Sequence, residues 1–86
     1  MATVDKEIIL LKVSGQDKPG VTAGLTAILA NYGATILDIG QADIHDTLSL
    51  GILFEVKAGS GSGNVLKDLL FKGYELGINV KFIPIT

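Results

Sequence analysis

Between Glu7 and Ser14 apolar positions alternate. Ile9, Leu11 and Val13 fall on one side and Ile8, Leu10 and Lys12 on the other, the two-residue period of a strand with at least one buried face. The rhythm then changes. Val21, Leu25, Ile28, Leu29 and Tyr32 recur at offsets of four, seven, eight and eleven, and only a helix brings those five side chains to one face. Gly33 follows, where a left-handed helix cap is expected. Residues 34–44 read as a second strand of mixed character, interrupted by Asp38, Gln41 and Asp43, and His45-Asp46 as a turn. Residues 47–57 alternate most cleanly, with Leu48, Leu50, Ile52, Phe54 and Val56 on one side and Ser49, Gly51, Leu53 and Glu55 on the other.

The run AGSGSGN at 58–64 has the composition of a flexible loop, with Ser62 placed to cap a following helix. That helix is expected to turn Val65, Leu66, Leu69, Leu70 and Leu76 inward, and Lys67, Asp68, Lys72 and Glu75 outward. Gly77 ends it. Residues 78–85 form a last strand, which Pro84 assigns to a sheet edge because proline has no ladder donor. The order is βαββαβ. With right-handed crossovers and a hairpin between strands two and three, it predicts an α+β fold: a ferredoxin-like sandwich, a four-stranded antiparallel sheet with two helices on one face.

At 86 residues the chain can fill one core and not two. All seven basic residues are lysine, and the net charge is −2. Without arginine there is no planar fork for phosphate or guanine, so nucleic acid is not an expected partner. The absence of cysteine removes disulfides, thiolate metal sites and thiol catalysis. Apolar runs are too short to span a bilayer and the N-terminus MATVDKE is unlike a signal peptide, so a cytoplasmic domain without membrane contact is expected.

Several motifs approach known chemistry and miss. Gly15 to Thr22 nearly spells a phosphate-binding loop, but Val21 replaces the lysine, Asp17 repels phosphate and Pro19 removes an amide donor. GSGSGN has Asn64 where a dinucleotide fingerprint needs glycine. Asp43 to Thr47 misses the D-x-D-x-T of a phosphatase nucleophile by one residue, and His45 reads as a solvated turn residue. The strands show no aromatic platform for RNA.

What remains is SGQDKPGVTAG. Pro19 suits the first helical position, and Asp17 can accept from the amides of Gly20 or Val21, so a capped helix start explains the residues by itself. A second reading stays open. Gly15 and Gly20 leave the backbone uncovered, helix N-termini attract carboxylates, and Asp17 offers a partner for an ammonium group; together they describe a site for a zwitterionic α-amino acid. No charge occurs between Lys18 and Asp38, so the first helix shows Ala23, Gly24, Ala27, Ala30 and Asn31 outward. The helix-free sheet face carries Ile8, Leu10, Leu53 and Ile83, and both surfaces suggest a covering partner.

VSGQDKPGVTAGLTAILANYGATILDIGQADIHDTLSLGILFEV, with its D-x-P-G-V turn and NYGATILDIGQ, resembles an ACT domain, the amino-acid-sensing module of many metabolic enzymes. Within that family it is most similar to the N-terminal regulatory region of bacterial phosphoserine phosphatases. The resemblance implies that residues 1–86 are a single ACT-like domain at the front of a longer enzyme. It also implies L-serine as ligand and a homodimer built through ACT–ACT contacts. The binding residues it implies are Gly15, Asp17, Lys18, Pro19, Gly20 and Val21 in the first loop, with Thr35 supplied from the neighbouring copy. Gly15 stands where serine-sensing relatives have a ring side chain, and Asp17 where they have an amide. A phosphoserine phosphatase would need magnesium and a nucleophilic aspartate in a catalytic domain that is absent here, so this chain carries no catalytic residue, no cofactor and no metal. A structural dimerisation module that binds nothing, and a free-standing regulator of a partner enzyme, are the alternatives.

Overall fold

The computed structural model describes residues 6–57 and 62–85, Ser62 by its backbone alone. The expected capping role of Ser62 and most of the Gly/Ser loop therefore lie outside the described residues. Six elements follow in order: β1 (Lys6–Gln16), α1 (Val21–Asn31), β2 (Thr35–Ile44), β3 (Thr47–Lys57), α2 (Ser62–Leu76) and β4 (Asn79–Pro84). The strands form one sheet in the order β2-β3-β1-β4, with every pairing antiparallel. This is the expected ferredoxin-like arrangement, and Pro84 stands on an edge strand as its missing donor requires.

The core lies between the sheet and the helices. Ile9, Leu11 and Val13 of β1 and the five alternating apolar residues of β3 are all buried, with Phe54 fully enclosed. Val21, Leu25 and Leu29 of α1 meet them, as do Val65 and Leu69 of α2. His45 and Asp46 both have positive φ (50° and 63°), the requirement of the two-residue type I′ turn whose twist matches a hairpin.

Four expectations shift. β1 runs on to Gln16, so Gly15 is a strand residue opposite Leu48 and not part of the turn. Pro19 does not open the helix. Gly20, at φ 85° and ψ 0°, has the geometry of the third position of a type II turn with Pro19 second, and helical backbone starts only at Val21. Leu70 is not inward: it is 49% exposed, and Phe71 and Tyr74 stand exposed beside it. The third and fourth shifts share a cause. α2 packs through Val65, Leu69 and Gly73, and Gly73 lies so close to β4 that a Cβ there would come within 2.3 Å of Val80 Cγ2. That contact rotates Leu70 away from the core. It also lays Lys72 towards α1, where a Cβ on Gly24 would meet Lys72 Cε at 3.1 Å, so Lys72 is not simply outward.

Candidate functional site

Helix α1 begins without a side-chain cap. Its first-turn amides point along the axis with no intrahelical acceptor, and the partial positive charge of the helix end gathers there. The expected capping bond from Asp17 is not formed. Asp17 is held instead through its backbone, its N–H donating to the Asp46 carbonyl at 2.9 Å, which ties the β1–α1 loop to the tip of the β2–β3 hairpin. The exposed Asp17 carboxylate is thereby left beside the helix mouth. Gly20 is exposed, and apart from its chain neighbours nothing lies within 4 Å of where its Cβ would be, so the backbone is open to approach.

Neighbouring side chains extend this polar edge. Thr22 Oγ1 donates to Gln41 Oε1 at 2.8 Å, and Gln41 Nε2 donates to Asp43 Oδ2 at 3.3 Å. The chain of bonds runs from the first turn of α1 to the outer strand. The sequence marks none of Thr22, Gln41 and Asp43 as a ligand residue: Thr22 and Asp43 occur in near-miss motifs, Gln41 and Asp43 interrupt an apolar pattern, and nothing in the spacing connects them to one another.

The candidate residues do not all converge. Lys18 reaches away from the helix mouth: its Nζ donates to the Leu76 carbonyl at 3.0 Å, placing a cation at the C-terminal end of α2, where the helix dipole favours it. Gly15 backs onto Ile78, and a Cβ there would approach Ile78 Cγ2 at 3.1 Å and its Cα at 3.3 Å. Val21 is buried in the core and offers the site only its backbone. Asp17, Pro19, Gly20 and the Val21 amide share the loop.

Thr35 is remote. It opposes Glu55, which opposes Ile8, and Gln16 lies eight residues further along β1. At about 3.3 Å per residue this separates Thr35 from the loop by roughly 26 Å within one chain. It lines a different depression of about 200 Å³, with Lys6, Gly33, Glu55, Val56 and Lys57.

Among the described residues no three or more His, Cys, Asp or Glu side chains are gathered to hold a metal ion, and no helix is long and apolar enough to cross a membrane.

Comparison with known proteins follows this geometry. The family model described as the ACT domain matches residues 7–83. A UPF0237 protein of Methanopyrus kandleri is 35% identical over 72 residues, which cover 83% of this chain and 80% of that protein. Phosphoserine phosphatase SerB2 of Mycobacterium tuberculosis is 36% identical over 63 residues, but this chain spans only 15% of its length. Among solved structures, an ACT domain protein from Streptococcus pneumoniae superposes with a TM-score of 0.74 at 20% identity, covering 91% of this chain and 89% of that one. At that identity the superposition speaks for the fold alone. The family match over nearly the whole chain decides the assignment: this protein belongs to the ACT domain family.

Proposed function

We propose that this ACT domain is a non-catalytic regulatory module that pairs with a second copy and binds a small amino acid at the mouth of α1, with L-serine the leading candidate. The observation that carries the reading is the uncapped start of α1 beside the exposed Asp17. Open amides suit the ligand's carboxylate, and the Asp17 carboxylate suits its ammonium group.

Pairing is supported by β2. All ten of its residues are exposed, among them Ile36, Leu37 and Ile39, and its outer edge has no neighbour in the sheet. A two-fold, antiparallel pairing of β2 with β2 about its middle sets the partner's Thr35 beside Ile44. That is the end of the sheet where Asp17 is tied to Asp46. The 26 Å gap within one chain then becomes a short reach between two, and a complete site requires the dimer.

Coverage of the relatives favours a module that acts by itself, since the UPF0237 relative is matched over 80% of its length. The reading as the sensor of a phosphoserine phosphatase in serine biosynthesis draws on the match to the mycobacterial enzyme. In that case the magnesium-dependent chemistry belongs to the other domain. A purely structural dimer is the remaining reading, and the close approach of Ile78 to Gly15, which narrows the space behind the loop, favours it.

Calorimetric titration with L-serine tests the proposal. Heat of binding that Asp17→Ala abolishes and His45→Ala retains supports amino-acid sensing. Silence toward all twenty amino acids, in a protein that sediments as a dimer, leaves the structural reading in place.

A further inference from the structure

The helix-free face of the sheet carries a feature unrelated to the mouth of α1. Lys12 of β1 and Lys81 of β4 are direct cross-strand partners. Opposed side chains on neighbouring strands have Cβ atoms about 4.5–5.5 Å apart, and like charges placed so are destabilising. Neither lysine forms an ion pair among the described residues, where the bridges are Lys6–Glu55 and Lys72–Glu75. Among the described residues the carboxylates on this face are Glu55, engaged by Lys6, and Asp38, which accepts a bond from the Ile39 amide on the far edge strand. In a chain of net charge −2, two adjacent cations without an acidic neighbour need a reason.

The surface around them is concave. Lys12, Ser14, Ser49, Asn79 and Lys81 line a depression of about 470 Å³, within the range of small-molecule sites. The hydroxyls and the amide supply further hydrogen bonds at its floor. One row along the strands, Leu10, Leu53 and Ile83 form an apolar platform, half-buried and in register across three strands. Gly51 and Gly40, opposite each other, keep the adjoining backbone low: nothing lies within 4 Å of a Cβ on Gly40, and only Leu10 Cδ1 at 3.9 Å from one on Gly51. A second depression of about 230 Å³, lined by Leu10, Asp38, Gly40, Gly51 and Leu53, lies on the same face of the sheet.

We propose that this face is a second ligand site, for a small organic phosphate with an apolar or planar body. Its phosphoryl group sits between Lys12 and Lys81, and its body lies over Leu10, Leu53 and Ile83. The dianionic head supplies the counter-charge that the fold omits, and the body covers apolar surface that the single sheet layer leaves wet. The inference does not depend on amino-acid binding at α1, which lies on the other side of the sheet.

The test is an amide NMR titration of the full chain with phenyl phosphate, inorganic phosphate and phenol. Phenyl phosphate is expected to shift Lys12, Ser14, Ser49, Asn79 and Lys81 together with Leu10 and Leu53. Inorganic phosphate should bind more weakly at the lysine end alone, and phenol more weakly over the apolar row. Lys81→Gln should weaken phenyl phosphate at least about tenfold, the loss of one charge-assisted contact. The same variant should raise the melting temperature of the ligand-free protein, because it relieves the opposed charges. Shifts confined to the mouth of α1, equal affinity in Lys81→Gln, or a variant that melts lower because the lysine has a partner inside the protein would each overturn the proposal.

Discussion

The two edges of the sheet are built differently. β4 is six residues long, carries Pro84 near its end and is pressed from behind by Gly73 of α2. It is a finished edge: short, broken by an imino acid and anchored to a helix. β2 is longer, has no proline and exposes every residue, including Ile39 at 45% and Ile44 at 74%. Its helix neighbour differs in the same way, since α1 carries no charged residue whereas α2 bears Lys67, Asp68, Lys72 and Glu75. On the proposed reading, the contrast teaches that stability and recognition are separated in space. One flank of the domain completes itself, and the other presents an open strand, an uncharged helix and the uncapped helix mouth.

The sharpest way to break that comparison is to damage the enclosed core and the open flank in turn. Phe54→Ala in the centre of β3 should lower unfolding stability by about 3–5 kcal/mol, the usual loss for emptying an enclosed aromatic site. Ile39→Ala on β2 should lower the stability of the isolated chain by only about 1 kcal/mol, since half of the side chain is already wet. It should nevertheless weaken self-association measured by sedimentation. Urea unfolding at dilute and concentrated protein separates the two effects. A large loss at Ile39 in the monomer would mean that β2 is already finished within the chain.

A second pair of substitutions sharpens the contrast between helices. Gly73→Ala should cost about 1–3 kcal/mol despite alanine's better helix propensity, because the new methyl meets the branched stem of Val80 at 2.3 Å. Gly24→Ala meets only the flexible end of Lys72, which can swing aside. It should therefore be neutral or gain up to about 1 kcal/mol of helix propensity. Thermal unfolding of both variants reads the difference directly.

The smallest effect expected is alkaline. Tyr32 at the end of α1 donates its hydroxyl to Asp68 Oδ2 of α2 at 2.5 Å, joining the two helices. That hydrogen bond, followed by desolvation and the negative charge of Asp68, raises the phenol above its ordinary value of 10.0. The protonated phenol is the form favoured by folding. Its contribution is fully present below pH 10 and disappears as the pH rises through the raised value of the folded state. A titration of tyrosinate absorbance should show one tyrosine ionising late, and Tyr32→Phe should remove it along with that part of the alkaline stability loss.

Much of this arrangement was legible in residue spacing. The alternation of β3 named its buried face without error, because a two-residue period admits only two choices. The Val21, Leu25 and Leu29 stripe identified the core face of α1 because a spacing of four returns to one side of a helix, and glycines after both helices marked their ends, at φ 70° in each case. The site was only half legible. The loop SGQDKPGV marked the connection between β1 and α1, yet suggested Pro19 inside the helix and Asp17 capping it. A Pro-Gly pair fits both a helix start and a type II turn, and the left-handed Gly20 chose the turn. Lys18, Thr22 and Gln41 owe their roles to partners between 19 and 58 positions away in sequence, which no local pattern reports.

Local chemistry alone determined the order of elements, the faces of the central strands and the class of fold, since each follows from side-chain periodicity and the conformational limits of glycine and proline. Tertiary contact decided the rest. The approach of Gly73 to Val80 set the rotation of α2 and so exposed Leu70. Strand register placed Lys12 against Lys81, and it set Thr35 far from the β1–α1 loop of its own chain. Both are distances between remote segments, and those come into being only when the layers close upon each other.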